Sequence, residues 1–169
     1  MIRKVVKQRE TILIICEGRT DEAFFKFLRQ MFMSQGHAAA GPKITIKDAG
    51  GMGGLHVCRT ALREPGEYTH RVVVYDGDVD APLAIKQEIL AKGWSLIVID
   101  QCIEALLLTL LQRRVPANSN ACKIAMQAVT KASLMEVETY AAMLTQRRIL
   151  EAKDRIPQLA EVLRHFGVA

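Results

Sequence analysis

A chain of 169 residues has the size of one ordinary domain, and with half its residues apolar and about a quarter charged it excludes a disordered or fibrous class. Its net charge of +5 permits a polyanionic partner without demanding one. No apolar run approaches the roughly 20 residues of a membrane span, and the polar, basic start from Met1 to Glu10 lacks the apolar stretch of a secretory signal, so no membrane association and a cytoplasmic location are expected.

Thr11 to Cys16 is a run of aliphatic and β-branched residues that stops at Glu17-Gly18, the pattern of a strand buried on both faces. Thr20 can cap the next segment, and Asp21 and Glu22 suit the positive end of a helix dipole. Phe24, Phe25, Leu28, Met31 and Phe32 then recur at helical spacing, so a helix is expected over residues 20–33. Lys43 to Lys47 reads as a second strand, and Gly50-Gly51-Met52-Gly53-Gly54 as a flexible loop leading into a helix around Leu55 to Leu62. Arg71 to Tyr75 is a third strand. Pro82 opens a helix in its first turn, Gly93 ends it, and Ser95 to Ile99 is a fourth strand. The apolar run Ala105 to Leu111, bracketed by Glu104 and Gln112, is a core helix.

Strand and helix thus alternate four times, which predicts an α/β fold with a mainly parallel sheet of four strands flanked by helices. From Asn118 onward only helical periodicity remains, with Leu134, Val137, Ala141 and Leu144 on one stripe and Leu159, Leu163 and Phe166 on another. One domain over residues 1–169 is expected, with an α/β core over 10–115 and a helical extension over 116–169 packed on it. Cys16, Cys58, Cys102 and Cys122 form no CxxC or Cys/His cluster, so reduced, buried thiols are expected rather than zinc. Basic residues gather at Arg3, Lys4, Lys7 and Arg9, at Arg113 and Arg114, and at Arg147, Arg148, Lys153 and Arg155. Each group could be a solvated face or an electrostatic footprint.

In an open parallel sheet, ligands bind outside the carboxyl ends of the strands, and two strands of this chain run directly into acids. The first ends in Glu17 and the third in Asp76-Gly77-Asp78-Val79-Asp80. If those strands are neighbours, Glu17, Asp76 and Asp78 converge at one edge, where their mutual repulsion calls for a cation. Hard oxygen ligands without nearby His or Cys suit Mg²⁺ or Mn²⁺. A calcium EF-hand is excluded by Ala81 and Gln87, which stand where Gly and Glu are required. A haloacid-dehalogenase arrangement would place its acid pair on the first strand, and a purely structural reading has these acids capping the Pro82 helix. Gly50, Gly51, Gly53 and Gly54 could cradle a phosphate with their backbone N–H groups or form a plain turn; the Lys-Ser/Thr ending of a P-loop is missing.

The two segments ILIICEGRTDE and VVVYDGDVD, a strand into Glu-Gly and a later strand into Asp-x-Asp, resemble the Toprim superfamily of metal-dependent catalytic domains, found in topoisomerases, bacterial primases, OLD-type nucleases and certain ribonucleases. Within it the chain is most similar to RloB-like proteins, whose Cys-Phe-Glu before an apolar helix corresponds to Cys102-Ile103-Glu104 here. The usual Asn-Pro before that cysteine is replaced by Asp100-Gln101. The resemblance implies Glu17 as metal ligand or general acid/base, Asp76 and Asp78 as metal ligands, and Asp80 as a possible further one. Glu22, Glu104 and Arg19 are additional candidates; Glu104 could equally satisfy N–H groups at a helix start, and Arg19 could be an exposed loop arginine. The implied activity is Mg²⁺- or Mn²⁺-dependent hydrolysis of phosphodiester bonds in DNA or RNA, with a separate ATPase chain as a possible partner. The alternative is a non-catalytic Toprim module that binds nucleic acid or such a partner.

Overall fold

The alternation of buried aliphatic runs with amphipathic segments produces a four-stranded, wholly parallel sheet with helices on both faces. The computed structural model describes residues 9–33 and 41–169; Arg3, Lys4 and Lys7 of the first basic cluster lie outside them. The strands are β1 (Thr11–Cys16), β2 (Lys43–Asp48), β3 (His70–Asp76) and β4 (Ser95–Ile99), in the spatial order β2-β1-β3-β4. The helices are α1 (Arg19–Met33), α2 (Gly53–Arg63), α3 (Leu83–Ala91), α4 (Ile103–Leu110), α5 (Ser119–Val129), α6 (Val137–Met143), α7 (Gln146–Lys153) and α8 (Pro157–His165), and a 3-10 turn spans Gly77–Val79. None of the described helices is long and apolar enough to cross a membrane.

Side-chain alternation sorts the strands onto two cores. Leu13 and Ile15 of β1 with Val73 and Tyr75 of β3 meet Val57, Cys58 and Ala61 of α2 and Ile89 of α3. On the other face Ile12, Ile14, Val72 and Val74 meet Phe24, Phe25 and Leu28 of α1, the apolar side of α4, and residues of α5 to α8. Being covered on both faces is why β1 and β3 read as unbroken apolar runs. Tyr140 of α6 fastens the C-terminal helices to α1: its ring lies 5.5 Å from that of Phe24 and 5.9 Å from that of Phe27, and its hydroxyl stands within donating distance of two carbonyls, Leu134 at 2.7 Å and Thr20 at 3.0 Å.

Two boundaries depart from expectation in ways that bear on the site. Helix α2 begins at Gly53, inside the segment read as loop. A Cβ on Gly54 would stand 2.5 Å from Cε2 of Tyr75, and one on Gly53 would stand 2.5 Å from Cγ1 of Val79. These glycines let the helix start approach β3 and the 3-10 turn closely. Pro82 takes the N-cap position of α3 rather than its first turn, its carbonyl accepting from Lys86 N–H at 3.2 Å.

Candidate functional site

Register places the ends of β1 and β3 side by side, with Ile15 opposite Val73, while β3 runs on to pair Asp76 with Ile99 of β4. The residues that follow β1 and close β3 therefore share one edge. Glu17 is fixed there by backbone donors: Gly53 N–H reaches its Oε1 at 3.1 Å and Asp76 N–H its Oε2 at 3.1 Å, while Gly51 N–H reaches its carbonyl at 2.8 Å. For the glycine loop to deliver those donors, Gly50, Gly51, Met52 and Gly53 all adopt positive φ, from 73° to 85°. Met52 is the one non-glycine residue of this loop held in that region, and it stands 80% exposed. The N–H of Gly50 goes to Oδ1 of Asp48 at 3.0 Å. The loop thus serves carboxylates of its own chain with N–H groups that a phosphate cradle would need.

Asp76 is 8% exposed, and its Oδ1 has no hydrogen-bond partner. Burial, reinforced by the negative charges of Asp21, Glu17, Glu104 and Asp78, pushes its carboxyl up to about 9. Asp21, only 4% exposed, accepts the N–H of Gly18 on Oδ2 at 3.2 Å, half of a capping box, and leaves Oδ1 unpartnered. Its carboxyl is pushed up to about 7, first by burial and then by Glu17 and Glu104 against the pull of backbone hydrogen bonds. Glu104, in the first turn of α4 and 8% exposed, likewise leaves Oε2 without a partner. Asp78 is exposed in the 3-10 turn, its N–H donating to the carbonyl of Gln101 at 3.1 Å.

Of the residues singled out from sequence, Glu17, Asp76, Asp78 and Glu104 come together. Asp80 does not join them. It turns to the α2–α3 face, where it accepts from Tyr75 at 2.7 Å and from Ala81 N–H at 2.8 Å and pairs with Lys86, which holds its carboxyl below the usual range. Glu22 pairs with Lys26 one turn on at 2.9 Å, and Arg19 is exposed. Sequence reasoning missed Asp21 as a site residue. The signal was its phase: Asp21, Phe24, Phe25 and Leu28 fall on one helical stripe, so a carboxylate stands on the buried side of α1.

As placed, no three His, Cys, Asp or Glu side chains among the described residues form a metal-binding group. The donor chemistry nevertheless fits a hard divalent cation: Asp21 Oδ1, Asp76 Oδ1 and Glu104 Oε2 are buried carboxylate oxygens with nothing to accept from. An unpartnered polar atom in such a place is costly, and a cation would relieve both the desolvation and the repulsion. No family model matches the chain, and neither a curated protein nor a solved structure shows a significant match to it.

Proposed function

We propose that the chain is a Mg²⁺- or Mn²⁺-dependent nuclease of the Toprim type, similar to RloB-like proteins, that hydrolyses phosphodiester bonds in nucleic acid. The observation that carries this reading is the set of three buried carboxylates, Asp21, Asp76 and Glu104, each with an unpartnered oxygen, beside Glu17 at the carboxyl edge of the sheet. Asp76, Asp21 and Glu104 would hold the cation, with Asp78 at the exposed side. A bound divalent cation supplies charge neutralisation for a phosphodiester and lowers the pKa of a water. Glu17, oriented by the N–H groups of Gly53 and Asp76, is the chain's own fixed proton acceptor at that edge.

The test is a calorimetric titration of Mn²⁺ into the protein and into Asp76→Ala/Asp78→Ala, with supercoiled plasmid and a structured RNA then offered to both. Binding and cleavage that vanish together in the double variant are the expected result. Binding without cleavage favours a module that acts only with a partner such as an ATPase chain. A folded protein that takes up no metal refutes the catalytic reading.

A further inference from the structure

Beside the acidic edge, at the free side of β4, a cavity of ≈ 450 Å³ opens between α4 and the start of α8. The two features share their walls. Helix α4 carries Glu104 on the acidic side and Leu106 on the cavity side, and Gln101, which lines the cavity, accepts the N–H of Asp78 on its carbonyl at 3.1 Å. Gln101 adopts a left-handed backbone, φ 63°, which a residue with a Cβ adopts only when its surroundings hold it there. Here its amide donates to the carbonyl of Pro116 at 3.2 Å, and the Cys122 thiol donates to its Oε1 at 3.3 Å. The corner joining the acid-bearing turn to the cavity is therefore built, not slack.

We infer that this cavity receives one unpaired nucleobase of a single-stranded nucleic acid whose backbone runs past the acidic edge. Ile99, Leu106 and Ile156 supply aliphatic walls for the flat face of a base; at its edges the Gln158 amide can donate or accept, and Thr109, whose hydroxyl donates to the carbonyl of Ala105 at 2.9 Å, can accept. Arg155 at the cavity, with Arg113 and Arg114 exposed just before the lining residue Val115, outweighs the one acid of the lining, the exposed Asp100, and gives the surroundings the net positive charge a phosphate backbone requires. The charged side chains of the lining, Asp100 and Arg155, are exposed, as is Thr109, so the cavity has no buried charged anchor with which to capture a free nucleotide. Its occupant is instead delivered by a polymer bound alongside, which raises the local concentration of the base. A base stacked and paired in a duplex cannot enter such a cavity; one in a single strand can. The course assigned to the backbone rests on the nuclease reading, whereas the chemistry of the cavity does not.

The experiment is fluorescence anisotropy in EDTA, with the full chain and a labelled oligothymidylate of about 12 nucleotides, single-stranded or paired with its complement. The single strand is expected to bind at least about tenfold more tightly than the duplex. Thr109→Trp, which fills the cavity from an exposed position, and Arg155→Glu should each weaken single-strand binding about tenfold. Arg59→Glu, an exposed change on α2 across the sheet, should alter it by no more than about twofold. Equal affinity for duplex, or either cavity variant behaving like Arg59→Glu, overturns the inference. Because binding is read without metal, failure here leaves Mn²⁺ uptake and cleavage to be judged by themselves, and failure of those leaves this result standing.

Discussion

With its side chain 8% exposed and Oδ1 unpartnered, Asp76 sits where an ionised carboxyl is disfavoured, and this position sets stability against metal binding. Its folded pKa of about 9 lies far above the 3.8 of an ordinary aspartate. The stability it contributes is therefore fully present below about pH 4 and is lost as pH rises through about 9. In EDTA, Asp76→Asn should stabilise the protein, by about 1–3 kcal/mol at pH 8 and by less at pH 5, because the amide never has to ionise. Thermal melts at the two pH values check this. Mn²⁺ should raise the melting temperature of the wild-type protein and leave that of the variant unchanged. A variant less stable than wild type at pH 8 would mean that Asp76 has partners that satisfy its charge. Glu17 and Asp76 were legible in the sequence because each ends an aliphatic run. Asp21 was read only as a favourable charge at a helix start, since nothing in EGRTDE separates an acid facing solvent from one facing the core except its phase with Phe24, Phe25 and Leu28.

Among the elements, β4 was placed to the residue, and β1 likewise, because both are short apolar runs ended by residues of a different kind. The start of α2 was hidden for a physical reason. Glycines are poor helix formers, and their presence at Gly53 and Gly54 signals loop until the packing partner is known. That partner is the ring of Tyr75, whose Cε2 and Cδ2 would lie 2.5 Å and 2.7 Å from a Cβ on Gly54, with the amide nitrogen of Ala81 at 2.9 Å. Tyr75 is fully buried, and its hydroxyl is tied to Asp80 at 2.7 Å, so it has little freedom to withdraw. Gly54→Ala should accordingly cost about 1–3 kcal/mol in urea unfolding, even though alanine is the better helix former by about 1 kcal/mol. Because α2 carries Gly53, which holds Glu17, the same substitution should weaken Mn²⁺ binding while leaving every carboxylate in place. A stabilised Gly54→Ala protein would show that α2 can shift away from β3 at no cost.

Across the whole molecule the two edges of the sheet have opposite chemistry. The carboxyl edge gathers acids, while at the amino edge a cavity of ≈ 400 Å³ is lined by Glu10, His70, Arg164 and His165. There the C-terminal helix closes on the sheet through stacked imidazoles, the His165 ring lying 5.3 Å from that of His70, whose Nε2 meets Ser95 Oγ at 2.9 Å. None of this was legible from sequence, because His70 and His165 are 95 positions apart and neither stands in a motif. Burial first, then the proximity of His70 and Arg164, lowers the pKa of His165 from 6.5 to about 4. A neutral folded histidine competes with an unfolded one that takes up a proton, so the stability His165 contributes is present above about pH 6.5 and is lost as pH falls through about 4. Asp21 and Asp76 at the opposite edge, both raised, act with the reverse sign over the same range, so a single acid melt cannot isolate this histidine. The difference between wild type and His165→Gln can, since both proteins carry the same acids. Loss of ring stacking should make the variant less stable at pH 7, and that deficit should shrink steadily as pH is lowered from 7 to 4.5. A deficit independent of pH would mean that His165 is as free to protonate in the folded chain as in the unfolded one, and no deficit at all would mean that the C-terminal segment docks through Leu159, Val162, Leu163 and Phe166 alone.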